Sequence, residues 1–442
     1  MSSTSRLSHF SPRPRIAVTG IGIVTPFGMG REISWRGICS GQSALDWLPA
    51  SPQPDSEFTD RKPSRAELAG GAVRGRKGEA SSGGDEHSAG KLDPVVKLAE
   101  LAAEEAWQDA ELATSQAEAT RIGCVIGTSK GGLRSFATAF AAERSAENWP
   151  ARFWEQFLPH QSATHVAARL GLGGPTLVPV AACATGLLAV HRAADLIREG
   201  AADIVLAGSC DASLQPAVLG SFHRMGVLAR CDSHPSQACR PFARDRSGFL
   251  VGEGAAVLVL ERWESAVARG IPIYAEWLAG GVAGDPTGLT HLATDGISLA
   301  RLMTDVLERA GRGPADLDYI NLHGTATMTN DLCETQAIHR ALGRCADRVP
   351  CSSLKGSIGH LLGAAGSVEL AAAILAIRDG RIPPTVNLET PDPQCDLDYV
   401  PGHFRESAVQ TALKLSLGFG GHLVAGVVCQ AESVNRRAPA GV

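Results

Sequence analysis

The sequence lacks the residue patterns that bind zinc or form redox pairs. Its eleven cysteines include no Cys-x-x-Cys pair, and its histidines form no His-x-His or other zinc-like cluster. These absences speak against a metal centre and against a thiol–disulfide enzyme. An odd, scattered set of cysteines is typical of reduced, buried thiols in a cytoplasmic protein. We therefore expect neither a metal nor a cofactor, and we assign ten of the cysteines to the core.

Long apolar runs and a strong net charge are also missing. No uninterrupted apolar stretch approaches the roughly 18 residues of a membrane span. The N-terminal segment Met1–Arg15 is rich in Ser, Pro and Arg and has no apolar stretch of the kind found in secretory signals. The formal net charge of -5 speaks against a nucleic-acid binder. With 44% hydrophobic and 20% charged residues, the composition is that of a globular protein, which we predict to be cytoplasmic.

Apolar strands alternate with helices along the chain, and the strands show no strict alternation of apolar and polar residues. This order is typical of an α/β protein whose sheets are covered on both faces. The predicted strands are Ile16–Gly22, Ile122–Gly127, Thr176–Ala182, Asp203–Gly208, Ala255–Leu260, Ile273–Leu278, Leu317–Leu322 and, with its glycine turn, Leu413–Gly421. The predicted helices are Lys91–Ala110, Cys183–Arg198, Arg262–Arg269, Gly296–Ala310, Glu334–Leu342 and Ala364–Arg378. Both halves place a reactive side chain after an apolar strand, which a duplicated α/β unit would explain, although spacing alone does not prove it.

The segment Leu48–Gly90 differs in composition from the rest of the chain. It is rich in Ser, Pro, Gly, Arg and Glu and shows no periodicity. Such a composition does not bury enough apolar surface to fold by itself. We therefore predict that residues 48–90 form a long surface loop or a flexible insert that takes no part in the chemistry.

Cys183 stands where an apolar strand meets a helix of small residues, within the run Leu177–Gly186. A thiol at a helix N-terminus faces free backbone N–H groups and the positive end of the helix dipole, and both favour the nucleophilic thiolate. The small neighbours allow a tight turn and the close approach of a substrate. The alternative is a buried core cysteine, which is the more common role of an arbitrary cysteine.

Two histidines occupy matching glycine-rich ends of predicted elements. His323 follows an apolar strand in Asn-Leu-His-Gly-Thr, and His360 lies in Lys-Gly-Ser-Ile-Gly-His. Side chains at such ends can project into a cleft, where they would be available for catalysis. The alternative is a structural role, which is the more common one for a lone histidine. Lys355 sits among glycine and apolar residues, and a buried lysine needs a carboxylate partner. Glu369 or Glu334 could supply that partner.

Six short motifs, all in register, give the chain its resemblance to a known family. They are Ala182-Cys183-Ala184-Thr185-Gly186, Arg240-Pro241-Phe242, Gly252-Glu253-Gly254, His323-Gly324-Thr325, Asn330-Asp331-x-x-Glu334 and Lys355-x-x-x-Gly359-His360. Together they resemble the Cys-His-His branch of the β-ketoacyl-[acyl-carrier-protein] synthases, which act in fatty acid and polyketide synthesis. The resemblance covers nearly the whole chain, from Val18 to Gly421.

The resemblance implies the thiolase fold, in which two similar α/β halves pack as a five-layer αβαβα sandwich. It places one half at residues 14–265, with the nucleophile, and the other at residues 270–432, with both histidines. It also implies a homodimer whose substrates are carried on the phosphopantetheine arm of an acyl carrier protein. Neither a membrane nor a nucleic acid is an expected partner.

The implied reaction has two stages. Cys183 accepts an acyl group as a nucleophile, and malonyl-carrier protein then loses CO₂ to give an enolate that attacks the acyl-enzyme. In the family pattern, His323 and His360 stabilise the enolate. The backbone N–H groups of Cys183 and Phe419 form the oxyanion hole, and Lys355 supports the site electrostatically.

The resemblance also implies a set of supporting residues. Three carboxylates are expected to hold the catalytic groups in place, namely Glu334, Glu369 and Asp331. The phosphopantetheine arm is expected to bind Thr325 and Thr327. The acyl pocket is expected to be lined or gated by Phe222 and Phe419.

The sequence departs from the family pattern at three places. Leu415–Leu423 lacks the polar Asn and Thr residues that are common there, although its glycines remain. Lys130 stands where long-chain relatives place an apolar residue at the acyl pocket, so either it points to solvent, which we favour, or the acyl chain is not simply saturated. Gly226 replaces an arginine that meets the carrier protein in some bacterial relatives. Arg224 and Arg230 are nearby and could take the place of that arginine. Our hypothesis is that the partner is an acyl carrier protein other than the housekeeping one.

Three alternatives use the same fold. Chain-starting Cys-His-Asn synthases need an asparagine in place of one histidine, and His360 argues against that class. Degradative thiolases need a second cysteine in the C-terminal glycine turn, which holds Phe419 here. A third alternative is a catalytically silent partner subunit that shapes chain length, but such partners usually lack the nucleophile that Cys183 provides. The acyl chain, the pathway, and the choice between homodimer and heterodimer stay open.

Overall fold

The computed structural model describes residues 14–48, 69–74, 92–141 and 153–431. Its strands are β1 (Ile16–Thr25), β2 (Gly28–Met29), β3 (Asp46–Trp47), β4 (Ala69–Gly70), β5 (Ile122–Gly127), β6 (Thr176–Leu177), β7 (Ile204–Asp211), β8 (Gly254–Arg262), β9 (Ala275–Gly284), β10 (Tyr319–Asn321), β11 (Cys351–Ser352), β12 (Arg381–Ile382), β13 (Arg405–Glu406), β14 (Thr411–Gly418) and β15 (His422–Gln430). Its helices are α1 (Arg31–Cys39), α2 (Pro94–Asp109), α3 (Leu133–Ala141), α4 (Trp154–Phe157), α5 (Gln161–Leu170), α6 (Thr185–Arg198), α7 (Pro216–Arg224), α8 (Trp263–Arg269), α9 (Ile297–Arg309), α10 (Met328–Leu342), α11 (Lys355–Ile358) and α12 (Ala365–Asp379).

The strands form two five-stranded units with the same topology. The order is β6-β5-β7-β8-β1 in the first unit and β11-β10-β14-β15-β9 in the second. In each unit the first three of these strands are parallel, and the last two are antiparallel to their neighbours. The units join through β1 and β9, where Ile16 pairs with Trp277 and Val18 with Ala275. This repetition is the duplicated α/β unit that the sequence pattern suggested.

Two helices are buried between the two five-stranded units, which are called the first and the second sheet below. α6 packs on β7, β5 and β15, α12 packs on β14 and β8, and the two helices contact each other. Every residue from Ala365 to Ile377 is buried, because the helix is apolar on all sides except at Ser367 and Glu369. α2 and α5 cover the outer face of the first sheet, and α9, with α10 against it, covers that of the second. Within the described ranges, none of the helices is long and apolar enough to cross a membrane.

The two central helices approach each other closely at Gly186 and Gly366. A Cβ at either position would lie within 2.5 Å of a backbone nitrogen of the other helix. Only glycine leaves room for this contact. Because Cys183 precedes α6 and His360 precedes α12, the crossing brings reactive residues of the two halves together.

The largest difference from the predicted elements lies next to the nucleophile. The predicted strand Thr176–Ala182 is paired only at Thr176–Leu177, and the chain then leaves the sheet. Ala182 has a φ of 48°, outside the extended region. Helix α6 begins at Thr185, so Cys183 lies in a 3₁₀ turn and not in the helix itself.

Other predicted elements differ in length. The predicted strand Leu317–Leu322 is reduced to Tyr319–Asn321. The predicted helix Glu334–Leu342 begins six residues earlier at Met328, because Asn330 and Asp331 belong to its first turn. Strand β15, which follows the glycine turn after β14, has no counterpart among the predicted elements.

Part of the predicted surface loop is buried. Residues 49–68 and 75–91 lie outside the described residues, but Ala69 and Val73 are buried. The N–H of Gly71 donates to the carbonyl of Val251 at 2.9 Å, and the N–H of Val73 donates to Oε1 of Glu253 at 3.0 Å. The prediction of a surface loop is therefore wrong for residues 69–73, whose short apolar run is easily overlooked inside a polar segment.

Candidate active site

Cys183 is held in the 3₁₀ turn that leads into α6. The Thr185 hydroxyl fixes this turn, since it accepts the N–H of Ala181 at 2.9 Å and donates to the carbonyl of Ala182 at 2.8 Å. The positive φ of Ala182 is unusual for a residue with a Cβ, and such conformations concentrate at functional sites. Cys183 is 8% exposed, so its thiol faces the interior of the molecule.

The end of β14 passes directly over this turn. A Cβ at Gly418 would lie 2.5 Å from the carbonyl oxygen of Ala181 and 3.2 Å from the nitrogen of Cys183. Glycine therefore permits the close approach of the strand to the nucleophile. The backbone N–H of Phe419 is hydrogen-bonded to the Cys183 thiol, which places a backbone donor from the second half beside the sulfur.

Burial of the Cys183 thiol acts against the thiolate that the turn before the helix was expected to favour. Burial raises the pKa of Cys183 to about 11. The charges of Lys130 and Lys355 and the Phe419 N–H act in the opposite direction, but they offset the desolvation only in part. The charge of Asp211 adds to the effect of burial.

The two histidines lie side by side and present the same ring nitrogen. Their ring centroids are 5.1 Å apart at an interplanar angle of 80°, and both are buried. Nδ1 of His360 accepts the N–H of Leu362 at 3.2 Å, and Nδ1 of His323 lies 3.3 Å from Nζ of Lys355. Burial, followed by the charge of Lys355, lowers the pKa of both rings well below the ordinary value. Each ring is therefore neutral with its proton on Nε2, ready to donate.

Behind the histidines lies a group of three buried charged residues, Lys355, Glu369 and Lys414, called here the lysine–glutamate network. Lys355 pairs with Oε1 of Glu369 at 2.7 Å and also donates to the carbonyl oxygen of His323. Lys414 lies 2.7 Å from Oε2 of the same carboxylate, while its hydrogen bonds go to the carbonyls of Leu322 and Leu415. Two ammonium groups thus share one carboxylate.

Lys414 was missed in the sequence. Its side chain is fully buried, and burial lowers its pKa to about 8. A lysine in the middle of the apolar run Thr411–Gly418 was the available signal, because a charged residue in a central strand needs a buried partner. Glu369, on α12, is that partner.

Glu334 and Asp331 do not pair with Lys355. Glu334 accepts the N–H groups of His323 at 2.7 Å and Gly324 at 2.6 Å, so it fixes the backbone that carries His323. Asp331 accepts the N–H of Phe242 at 2.8 Å and contacts no histidine among the described residues. Burial raises the pKa of Glu334 to about 7 and that of Asp331 to about 6.

A cavity of about 70 Å³ opens beside the nucleophile. It is lined by Cys183, both histidines, Phe419 and the two predicted threonines. The hydroxyls of Thr325 and Thr327 are 2.8 Å apart, and both face this space. Within the described ranges, no group of three or more His, Cys, Asp or Glu residues is arranged to hold a metal ion.

Two family models match the chain, the N-terminal domain of β-ketoacyl synthases at residues 13–266 and their C-terminal domain at residues 274–389. The chain belongs to the β-ketoacyl synthase family. It is an acyltransferase-type enzyme, as predicted from the sequence.

This β-ketoacyl synthase resembles its curated relatives over nearly its whole length. It is 38% identical over 424 residues to the ketoacyl synthase alpha subunit of the tetracenomycin polyketide synthase of Streptomyces glaucescens. The alignment covers 94% of this chain and 97% of that relative. It is 35% identical over 414 residues to 3-oxoacyl-[acyl-carrier-protein] synthase 2 of Synechocystis sp., with 93% and 97% covered. The relatives thus include a subunit of a polyketide synthase and a 3-oxoacyl-[acyl-carrier-protein] synthase.

Solved structures give the same family and confirm the predicted thiolase fold. A type II polyketide ketosynthase in complex with its acyl-carrier protein matches with a TM-score of 0.85 and 32% identity, covering 95% of this chain and 100% of that one. A β-ketoacyl synthase from Burkholderia phymatum matches with a TM-score of 0.83 and 29% identity, with the same coverage.

The structure corrects the expected orientation of Lys130 in this β-ketoacyl synthase. The expectation that it points to solvent is wrong, because its ammonium lies 2.8 Å from the hydroxyl of Ser129 and 5.9 Å from the ring centroid of Phe222. Phe222 is itself buried, with its ring 6.4 Å from that of Phe419. Lys130 therefore lies on the side of the nucleophile where these two phenylalanines pack.

The glycine at position 226 has a structural reason in this β-ketoacyl synthase. Its φ is +69°, a left-handed conformation that an arginine would adopt only with strain. Arg224 and Arg230 are exposed on either side of this turn. They remain the basic groups available to an acidic partner.

Proposed function

We propose that the protein is a 3-oxoacyl-thioester synthase, which accepts an acyl group on Cys183 and condenses it with a malonyl thioester. The observation that carries this proposal is the pair of neutral histidines, each with a free Nε2–H, beside a buried thiol in one cavity. Two such donors suit an oxygen that becomes negatively charged during reaction, because fixed donors in a water-poor site stabilise developing charge strongly.

In the first stage, the Cys183 sulfur attacks the carbonyl carbon of the incoming thioester. The carrier thiolate leaves and takes up the proton that Cys183 gives up. Negative charge on the Cys183 sulfur is stabilised by the N–H of Phe419 and by the nearby charges of Lys130 and Lys355. These groups lower the pKa from the still higher value that burial alone would give.

In the second stage, the malonyl group loses CO₂. The electron pair of the broken carbon–carbon bond moves onto the thioester oxygen, where Nε2–H of His323 and of His360 stabilise the enolate. The enolate carbon attacks the acyl carbonyl on Cys183, and the N–H groups of Cys183 and Phe419 stabilise the resulting oxyanion. Collapse of that intermediate releases the Cys183 sulfur and the 3-oxoacyl thioester.

The lysine–glutamate network would orient His323 during this stage. Lys355 contacts both the ring and the carbonyl oxygen of His323, and Glu369 holds Lys355 in place. Glu334 would fix the backbone around His323. Asp331 lies further from His323 and accepts the N–H of Phe242 instead. We therefore assign Lys355 an electrostatic and positioning role.

We infer that both substrates arrive on the phosphopantetheine arm of an acyl carrier protein. A similar solved structure is that of a ketosynthase in complex with its carrier protein, and Thr325 and Thr327 line the cavity through which such an arm would reach Cys183. A dimer is part of the proposal, because β6 is an end strand and Leu177 and Val180 beside it are exposed. All eleven cysteines lie within the described residues and are free thiols, which suits the cytoplasm.

The test combines the intact mass of the protein with release of CO₂. The purified protein is incubated with malonyl-carrier protein and a panel of acyl-carrier proteins. We expect one acyl group on the wild type, none on Cys183→Ala, and CO₂ release that is lost in His323→Ala and His360→Ala. Absence of both acylation and CO₂ release across the panel would contradict the proposal and favour the silent partner subunit.

A further inference from the structure

Lys130 belongs to a compact polar group that the proposed reaction does not use as such. We call Lys130, Ser129, Asp211 and Ser213 the Lys130 site. The Lys130 ammonium donates to the hydroxyl of Ser129 at 2.8 Å and to that of Ser213 at 3.4 Å. Both hydroxyls in turn donate to Asp211. Asp211 is buried and also accepts the N–H of Gly363 at 3.1 Å, so the group is fixed in place.

The Lys130 ammonium keeps one donor for a ligand. An ammonium has three N–H groups, and the two contacts to serine hydroxyls account for two of them. Among the described residues, no carboxylate lies within 4.0 Å of the Lys130 nitrogen, since Asp211 is reached only through the serines. Lys130 therefore offers a positive charge and a hydrogen-bond donor that the protein does not neutralise by direct contact.

The Lys130 site borders the nucleophile on its apolar side. Phe222 and Cys183 belong to one apolar cluster with Leu219 and Leu250, and Lys130 lies over the Phe222 ring. The charge of Lys130 lowers the pKa of the Cys183 thiol and of His360, which shows that its field reaches both. A chain attached to Cys183 that extends toward Phe222 would thus meet the ammonium that lies over the Phe222 ring.

This arrangement is unfavourable for a saturated chain. An alkyl group packed against Lys130 would remove water from the ammonium without replacing its hydrogen bond, and such burial is costly. A carbonyl or hydroxyl oxygen on the chain would accept the remaining N–H, and bonds to charged donors are stronger than neutral ones.

We propose that the Lys130 site binds an oxygen atom of the acyl chain carried by Cys183, so that the enzyme prefers oxygenated acyl groups of the keto class over saturated ones of equal length. This inference rests on the proposed function, because it requires an acyl group on Cys183.

The test compares matched acyl groups that differ by one carbonyl. The rate of Cys183 acylation is measured by intact mass with butyryl, 3-oxobutyryl, hexanoyl and 5-oxohexanoyl carrier proteins. The two oxo chains place an oxygen at two depths.

In the wild type we expect at least one oxo chain to react on the order of tenfold faster than its saturated counterpart, as one charge-assisted hydrogen bond predicts. In Lys130→Met we expect the two to be equal or reversed, and in Lys130→Arg the preference to remain. Lys97→Met, which removes an exposed lysine on α2, is the matched control and should keep the wild-type preference.

A second measurement separates selectivity from a general effect on the thiol. Alkylation of Cys183 by iodoacetamide reports thiol reactivity without any acyl chain. If Lys130→Met slows alkylation and slows every chain by the same factor, Lys130 acts on the thiol alone and the inference is wrong. It is also wrong if the wild type prefers both saturated chains. If no chain acylates Cys183 and no CO₂ is released, the proposed function fails, and this inference fails with it.

Discussion

The two lysine-containing groups beside Cys183 differ in burial and in how their charges are balanced. In the lysine–glutamate network, two fully buried ammonium groups contact one buried carboxylate at 2.7 Å each. In the Lys130 site, the ammonium of the half-buried Lys130 is linked to Asp211 only through serine hydroxyls. The first arrangement is closed to ligands and fixes His323, whereas the second leaves a donor free. In our proposals, the first group serves the condensation reaction and the second serves the choice of substrate.

Removing the shared carboxylate should have the largest effect. Glu369→Gln leaves Lys355 and Lys414 without a counter-charge, and breaking a buried pair in this way lowers the free energy of unfolding by about 3–5 kcal/mol. We expect CO₂ release to fall as well, because His323 loses its support. Urea unfolding and CO₂ release measure the two effects.

The matched control is Glu308→Gln, which changes an exposed glutamate on α9 and should leave both quantities unchanged. A loss in the free energy of unfolding below about 1 kcal/mol for Glu369→Gln would be comparable to that of a surface change. It would mean that the buried groups of the network are largely uncharged.

The second prediction concerns the excess lysine and the pH. Burial lowers the pKa of Lys414 from its ordinary value of 10.5 to about 8, so between these values the unfolded chain binds more protons at this site than the folded protein. Stability from this group therefore rises with pH across the window from 8 to 10.5. Relative to Lys414→Met, the wild type should gain on the order of 1–3 kcal/mol in free energy of unfolding over this range.

The measurement is urea unfolding of both proteins at several pH values, and their difference is used because cysteine ionisation affects both alike. A difference that is flat or falls with pH would show that Lys414 stays charged or is already neutral. Since Lys355 alone can balance Glu369, Lys414→Met should be at least as stable as the wild type at pH 7.

The smallest effect is expected in the Lys130 site. Ser213→Ala removes one hydrogen bond to Asp211 and one acceptor of Lys130, which corresponds to about 1 kcal/mol. Thermal or urea unfolding measures it, with Ser221→Ala on the exposed face of α7 as the control. A loss as large as that of Glu369→Gln would mean that the Lys130 site is structural, and the contrast between the two groups would disappear.

The sequence predicted much of the site because reactive residues follow apolar strands. Cys183, His323 and His360 were each selected by a local pattern, and the structure brings all three to one cavity. The duplicated arrangement of strands was foreseen in the same way, although its identical strand order became visible only in the structure. Glu369 was correctly considered as a partner of Lys355, while Glu334 has a different role.

Other features depend on contacts between distant segments and could not be predicted locally. The apolar residues before Cys183 favour a strand, but the turn that carries the nucleophile requires the positive φ of Ala182. Lys414 was missed because its buried partner, Glu369, lies on helix α12, far from strand β14 in the sequence. Lys130 is held by serines that donate to Asp211, 81 residues away from Lys130 in the chain. The raised pKa of Cys183 follows from burial that no local pattern shows.

The contact between Gly186 and Gly366 has a consequence for hybrid enzymes built from two relatives. The nucleophile comes from one half and the histidines from the other, and the crossing of α6 and α12 sets their separation through backbone atoms. A chimera that joins the first half of one synthase to the second half of another would keep its geometry only if both parents carry the smallest side chain at this crossing. A single extra methyl group there would push the halves apart and impair catalysis without altering any group that touches substrate.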